Sequence, residues 1–242
     1  MQYLGIDLAW GERARTGVAL LAPDGRLVRS ASVRTDDEIA EFLGAEAGRS
    51  GMVAAIDAPL IVPNASGQRP CEREVGRLFG RFHAGAYPAN RGNPAFASGP
   101  RGARLAHRFG WALDPDVRPD DAAAVAIEVY PHPAMIVLFG LDRVLPYKGK
   151  SGRDVDSRRA AFETVLDHID RACGPLLRLD SSGRWAVLRG RVAAATRPVE
   201  LDIAEDEVDA ILCAYLAWLW ANRPDRMAVF GDVTDGYIIV PR

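Results

Sequence analysis

Two short runs constrain the fold of this chain more than any other feature. Met52–Ile56 is apolar at every position, and Ala124–Val129 is interrupted only by Glu128. A strand with one wet face alternates apolar and polar side chains, whereas a strand covered on both faces does not need to. Both runs therefore read as buried strands of the parallel kind, which require helices above and below. Ahead of them, Tyr3–Ala9, Thr16–Leu21 and Arg26–Val33 read as strands, with a turn at Pro23-Asp24-Gly25. Their close succession predicts an antiparallel meander.

Helical signals fill the rest. Thr35-Asp36-Asp37-Glu38 offers an N-cap and an acidic first turn to a helix carrying Ile39, Phe42 and Leu43 and ending at Gly48. Cys71–Phe82, Pro100–Phe109, Ala134–Leu141 and Asp156–Cys173 have helical patterns, and Asp180–Arg191 is ambiguous. The strongest helix is Glu205–Asn222, where Val208, Ile211, Leu212, Tyr215, Leu216, Leu219 and Trp220 form one broad apolar stripe. Met227–Phe230 and Tyr237–Val240 read as short terminal strands. The order predicts an α/β fold, a mixed sheet flanked by helices, in a single domain over 1–242. An arginine-rich helical insertion covers about 61–121 and a second insertion about 142–203.

Composition excludes several classes. With 242 residues and 48% hydrophobic content the chain can bury a core without disulfide or metal staples. Cys71, Cys173 and Cys213 are far apart, form no CxxC pair and have no histidine at zinc spacing, so they read as reduced thiols of a cytoplasmic protein. The N-terminus lacks the basic and apolar regions of an export signal, and the longest apolar run, Ala210–Ala221, is too short to span a membrane. A homodimer is allowed. The net charge of −2 argues against polyanion binding by the whole surface. Residues 67–108, however, hold eight arginines against Glu72 and Glu74, a local +6 that leaves −8 for the rest. That asymmetry predicts one polyanion-facing side.

Acids occur where strands disfavour them. Asp7 lies within the first expected strand, Asp57 directly follows Met52–Ile56, and Glu128 falls near the end of Ala124–Val129. A charge resists burial in a strand, and the carboxyl ends of parallel strands are where open α/β sheets bind ligands. Taken singly, Asp57 before Ala58-Pro59 also reads as a turn residue. Asp206 and Asp209 share one face of the last helix. Asp206 is equally readable as a first-turn acid favoured by the helix dipole. Asp209 lies among Val208, Ala210, Ile211 and Leu212 and needs a cation or an arginine partner. Were Asp7, Asp57, Asp206 and Asp209 to converge, their hard oxygens would suit Mg²⁺ or Mn²⁺. Two such ions can activate water and stabilise the leaving oxygen of a phosphoryl displacement, the chemistry of a nuclease.

Other groups carry two readings each. Glu128 and His132 form an acid and a proton carrier at a strand-to-helix turn, His132 being the best candidate base; alternatively Glu128 pairs with an arginine and His132 bonds to backbone. The only lysines, Lys148 and Lys150, share Tyr147-Lys148-Gly149-Lys150-Ser151, a candidate phosphate-contacting loop but not a P-loop, because Val144 stands where the upstream glycine is required. Arg69, Arg73, Arg77 and Arg81 recur every four residues and line one helix face if the helix starts early enough. With Phe79, Phe82, His83, Tyr87 and Phe96 between and after them, they would seat nucleic acid, or else form a solvated face over a satellite core.

The stretches Gly5-Ile6-Asp7-Leu8-Ala9-Trp10, Ile56-Asp57-Ala58-Pro59-Leu60, Arg69-Pro70-Cys71-Glu72-Arg73, Glu128-Val129-Tyr130-Pro131-His132-Pro133, Tyr147-Lys148-Gly149-Lys150 and Asp206-Glu207-Val208-Asp209-Ala210 resemble the family called domain of unknown function 429, described as predicted ribonuclease H-like nucleases. More broadly the chain resembles the Holliday-junction resolvase branch of the ribonuclease H-like superfamily. The resemblance implies a five-stranded mixed sheet, metal-ligand roles for Asp7, Asp57, Asp206 and Asp209, and a nucleic-acid substrate. Two positions depart from the resolvases. Asp57 stands where they usually carry Glu, and Glu207 follows Asp206 where they often place His. The alternatives are an ATP-dependent small-molecule phosphotransferase of the same fold, for which Leu8-Ala9-Trp10-Gly11-Glu12 is a poor phosphate hairpin, and a non-catalytic nucleic-acid-binding protein.

Overall fold

The computed structural model describes residues 1–11, 14–46, 51–117 and 124–242. In chain order they form β1 (Gln2–Asp7), β2 (Thr16–Leu21), β3 (Leu27–Val33), α1 (Asp36–Leu43), β4 (Met52–Ile56), α2 (Pro70–Phe79), α3 (Arg101–Phe109) and β5 (Val125–Glu128). There follow α4 (Pro131–Phe139), α5 (Val155–Cys173), α6 (Arg184–Ala194), α7 (Pro198–Asn222), β6 (Met227–Asp232) and β7 (Gly236–Pro241). The first five strands pair in the order β3-β2-β1-β4-β5. β1, β2 and β3 pair antiparallel, and β1, β4 and β5 pair parallel. This is the mixed α/β sheet expected from the two apolar runs.

The pleat sorts each strand's side chains into two cores. Tyr3, Ala19, Val53, Ala55, Val125 and Ile127 pack on the face covered by α7, with α5 and α6 behind it. Leu4, Ile6, Val18, Leu20, Ala54 and Ile56 pack on the other, against Ile39 of α1 and Leu105 of α3. Because α7 is enclosed by the sheet on one side and by helices on the other, it is apolar around most of its circumference. Two glycines set how closely it lies. A Cβ on Gly5 would collide with the Ala210 carbonyl, and one on Gly17 with the Asp206 carbonyl. The helix backbone therefore rests on β1 and β2 beside the acids.

Several boundaries differ from expectation. β1 ends at Asp7, so this acid stands at the strand's carboxyl end rather than inside it. The last helix begins at Pro198, where Glu200 bonds back to the Arg197 backbone, so Asp206 lies in its third turn and the dipole reading of that acid falls away. The second insertion correspondingly stops before Pro198. α1 is capped at Gly44, and the expected stop at Gly48 lies outside the described residues, as does the end of the first insertion at 118–121. Asp180–Arg191 resolves into a 3₁₀ turn and α6. The terminal strands pair with each other as a hairpin, joined to the main sheet by a single parallel bridge from Ile239 to Val129, and the hairpin packs on α2 through Cys71, Val75, Ile238 and Val240. All three cysteines are free and buried. Among the described residues no helix is long and apolar enough to cross a membrane.

Candidate active site

Strand parity decides which acids meet. Asp7 follows Ile6, Asp57 follows Ile56, and the Asp57 N–H donates to the Ile6 carbonyl at 2.8 Å, so the two residues stand side by side at the carboxyl ends of β1 and β4. Gly5 and Ala55, two residues before each, face α7, and Asp7 and Asp57 therefore face α7 as well. Asp209 approaches from α7 itself and is completely buried. Asp206, one turn earlier, accepts a hydrogen bond from Ser32 Oγ at 2.9 Å on the β3 side.

Electrostatics report the same convergence. Burial, and then the Asp209, Asp57 and Asp206 charges, push Asp7 well above the ordinary carboxylate range against the pull of Lys148. Asp57 is pushed up to about 7 by burial and by the charges of Asp209 and Glu128, again opposed by Lys148. Asp206 rises to about 6, chiefly through burial and partly through Asp209. Asp7 and Asp57 keep some solvent contact, and among the described residues no N–H or O–H is recorded donating to either carboxylate.

The positive charge at the centre comes from Lys148. Its Nζ lies 2.6 Å from Asp209 Oδ2 and 3.9 Å from Glu205 Oε1. Although burial alone would discharge this lysine, Asp209, Tyr147 and Asp7 hold its pKa well above the usual value, so it remains an ammonium. Tyr147 OH donates to Asp209 Oδ1 at 2.8 Å and fixes that carboxylate. The loop is anchored in turn by Arg158, which donates to the Tyr147 carbonyl at 2.6 Å and pairs with Glu205 at 2.7 Å. Sequence reasoning missed Tyr147, Arg158 and Glu205. The one available signal was the four-residue spacing of Glu205 and Asp209, which places them on one face of α7.

Several expected site residues have other surroundings than expected. Glu128 is register-paired with Ile56 and so faces the opposite side of the sheet from Asp57. Its oxygens accept from Arg69 Nη2 at 2.6 Å, Arg69 Nη1 at 2.9 Å and the Leu60 N–H at 2.8 Å, which leaves no role in moving protons. Arg69 is only 1% exposed and also donates to Glu72 at 2.8 Å, so it cannot reach a phosphate. α2 begins just after Arg69 and ends before Arg81, leaving Arg73 and Arg77 as the exposed helical remnant of the four-residue series; Arg81 instead stacks over Phe82. His132 starts α4 with its Nε2 buried and unpartnered. Burial and the nearby Lys148 lower its pKa to about 4, so it is neutral at pH 7 rather than titrating there. Glu207, at the position where a histidine was noted as usual, pairs with Arg184 at 2.6 Å and accepts from Ser30 at 3.0 Å, tying α7 to α6 and β3.

Among the described residues, no three His, Cys, Asp or Glu side chains are gathered tightly enough to hold a metal ion as they stand. The chemistry of the donor set nevertheless fits a hard divalent cation. Asp209 Oδ2 is buried with only the Lys148 ammonium against it, at 2.6 Å, and among the described residues neither Asp7 nor Asp57 has a recorded donor. Beside the acids lies a cavity of about 550 Å³ lined by Lys148 and Lys150.

Fold and site together define a class: a mixed-sheet α/β protein with an acid centre at the carboxyl ends of its parallel strands. The chain belongs to the family described as "Protein of unknown function (DUF429)", whose model matches residues 5–235. Neither the curated proteins nor the solved structures contain a match to it.

Proposed function

We propose that this protein is a metal-dependent phosphodiesterase of ribonuclease H-like type that hydrolyses nucleic acid at the Asp7–Asp57–Asp209 centre. The observation that carries the reading is the convergence of three acids from β1, β4 and α7 with a single ammonium as their counter-charge. Ionised together, the three carboxylates exceed the charge of Lys148 by two, which one Mg²⁺ or Mn²⁺ balances. Lys148 then takes the place of the second cation expected from the sequence. Asp7, Asp57 and Asp209 would hold the ion, with Asp206 at the margin. Bound there, a divalent ion supplies a nucleophilic water at neutral pH and polarises a phosphoryl oxygen.

The chain's own residues do the rest. Tyr147 keeps Asp209 in one orientation through its hydroxyl. Lys148, held charged, offsets negative charge developing on a phosphoryl oxygen. Lys150 presents a second ammonium next to it in the cavity wall. The phosphotransferase alternative calls for free backbone after β1 to cradle phosphates. Both ends of that hairpin are held instead by Arg101, whose Nη1 donates to the Ala9 carbonyl at 3.0 Å and to Thr16 Oγ1 at 3.2 Å.

The test is cleavage of labelled single-stranded, duplex, branched and hybrid DNA and RNA with Mg²⁺ or Mn²⁺. Wild-type protein should cut at least one of these only when the divalent ion is present. Asp7→Asn and Asp209→Asn should each reduce the rate by roughly 100-fold or more. Cleavage that survives both substitutions, or that needs no divalent ion, would overturn the proposal.

A further inference from the structure

Every charged side chain recorded lining the cavity beside the acids is basic. Arg143, Lys148, Lys150 and Arg153 line it together with His83 and His132, and no carboxylate does. Many cations elsewhere are matched: Arg29, Arg108, Arg158, Arg184, Arg189 and Arg197 each pair with an acid, and the exposed Arg73 and Arg77 stand along one helix rather than around a concavity. Among the described residues no acid pairs with Arg143 or Lys150, and the Arg153 guanidinium is recorded donating only to the Lys148 carbonyl, at 2.7 Å. Unmatched cations gathered around one concavity mark an anion site.

Its shape narrows the anion. Three chain segments line it: the middle of the first insertion at His83–Tyr87, the β5–α4 turn at Tyr130–His132, and the start of the second insertion at Arg143–Arg153. The Val144 N–H donates to the Phe82 carbonyl at 3.1 Å and ties the two insertions together. A groove that tracks a strand is long and meets one charge per phosphodiester. A single partly open concavity of about 550 Å³ falls instead in the range of roughly 300–1,000 Å³ that takes one small-molecule-sized group. Three cations without an acid partner, Arg143, Lys150 and Arg153, suit the charge of about −2 on a phosphomonoester better than the single charge of an internal diester.

Two rings supply the other half of a nucleotide site. Tyr130 is held by its hydroxyl, which donates to the Gly85 carbonyl at 3.1 Å, while Tyr87 is 65% exposed at the rim. Both rings also line the small crevice that contains Asp57, so the cavity adjoins the acids. His83 in the wall is the one non-glycine residue with positive φ (61°) among the described residues, a backbone strain of the sort that collects at ligand sites.

We propose that this cavity binds a nucleotide by its terminal phosphomonoester, with the base against Tyr87 and Tyr130, so that the protein recognises nucleic acid at a phosphorylated strand end. As a statement about substrate it rests on the hydrolytic reading above, but the binding event itself needs neither metal nor turnover. The same phosphomonoester could arrive on a free mononucleotide, and the experiment separates the two sources.

Calorimetry in EDTA would compare a nucleoside 5′-monophosphate, the corresponding nucleoside, and a short single-stranded oligonucleotide with and without a 5′- or 3′-terminal phosphate. The phosphate should tighten binding at least tenfold. Arg143→Ala with Lys150→Ala, two exposed changes whose effect on folding is checked by Tm, should remove that advantage. Tight binding of the phosphorylated oligonucleotide assigns the strand end. Binding of the mononucleotide alone would overturn strand-end recognition. Equal affinity with and without phosphate, or an advantage untouched by the double variant, would overturn the anion site itself. Cleavage assays on linear and circular single strands complete the test: a circle cut as fast as the linear strand also contradicts end recognition. If neither is cut while phosphate-dependent binding persists, the hydrolytic reading alone fails.

Discussion

Two groups of charges start from opposite faces of the same sheet and meet at its carboxyl edge, where Asp57 shares a crevice with Arg69, Glu72 and Glu128, and they are built to opposite specifications. On one face Arg69, Glu72 and Glu128 form a closed set. Glu72 Oε1 accepts from Arg69 and from the Ala89 N–H at 3.0 Å, Glu72 Oε2 accepts from the Arg69 N–H at 2.8 Å, and both oxygens of Glu128 accept from N–H groups. On the other face Asp7, Asp57 and Asp209 share the single ammonium of Lys148, which lies against one oxygen of Asp209 at 2.6 Å and leaves Asp7 and Asp57 without a recorded donor among the described residues. A buried charge that is fully hydrogen-bonded holds a structure together; one that is not raises its energy and awaits a partner. Here the closed set pins the first insertion to the sheet. The open set is the candidate site.

The comparison breaks most severely if the closed set is opened. Arg69→Met should strand Glu128 and Glu72 without their cation and cost about 3–5 kcal/mol in urea denaturation, the usual cost of removing one member of a buried ion pair. A loss under about 1 kcal/mol would mean that this set is as open as the other.

A second change acts on the open set's geometry without touching its charges. Gly5→Ala places a methyl against the Ala210 carbonyl, so α7 must shift away from β1. The expected cost is about 1–3 kcal/mol from overpacking. Asp209 moves with the helix, and divalent-dependent stabilisation in thermal melts should fall along with it. Unchanged metal dependence would show that the helix does not set the site.

The smallest effect has the opposite sign. Asp57 titrates near 7 in the folded chain and at an ordinary low carboxylate pKa when unfolded, so the folded state holds an extra proton between about pH 4 and 7. Stability of the metal-free protein should therefore decline as pH rises through that window. Asp57→Asn removes the charge and should raise stability at pH 8 in EDTA by about 1–2 kcal/mol while flattening the decline. Destabilisation at pH 8 would place Asp57 in the closed class. Added Mg²⁺ should stabilise wild type more at pH 8 than at pH 5, because the ion competes with those protons.

Much of the architecture was legible in the residues. Apolar runs without alternation specified buried parallel strands, and the successive short strands before them specified the meander, because period and length are local properties that burial enforces. Asp7, Asp57 and Asp209 stood out for the same reason: each is a charge where its neighbours demand burial. Glu128 stood out equally and belongs to the other face. One position of register moves a side chain through the sheet, and the apolar run around Glu128 carries no alternation from which that face could be read.

What the sequence by itself determined, then, is the strand and helix order and the presence of charges that burial cannot tolerate alone. Which charge answers which was decided only by the tertiary structure. Lys148 reaches Asp209 across 61 positions of sequence, since the loop bearing it is set down by Arg158 and Glu205. Arg69 reaches Glu128 across 59. Such pairings follow no period, and they arise where packing brings distant backbone together, at the price of desolvating both partners.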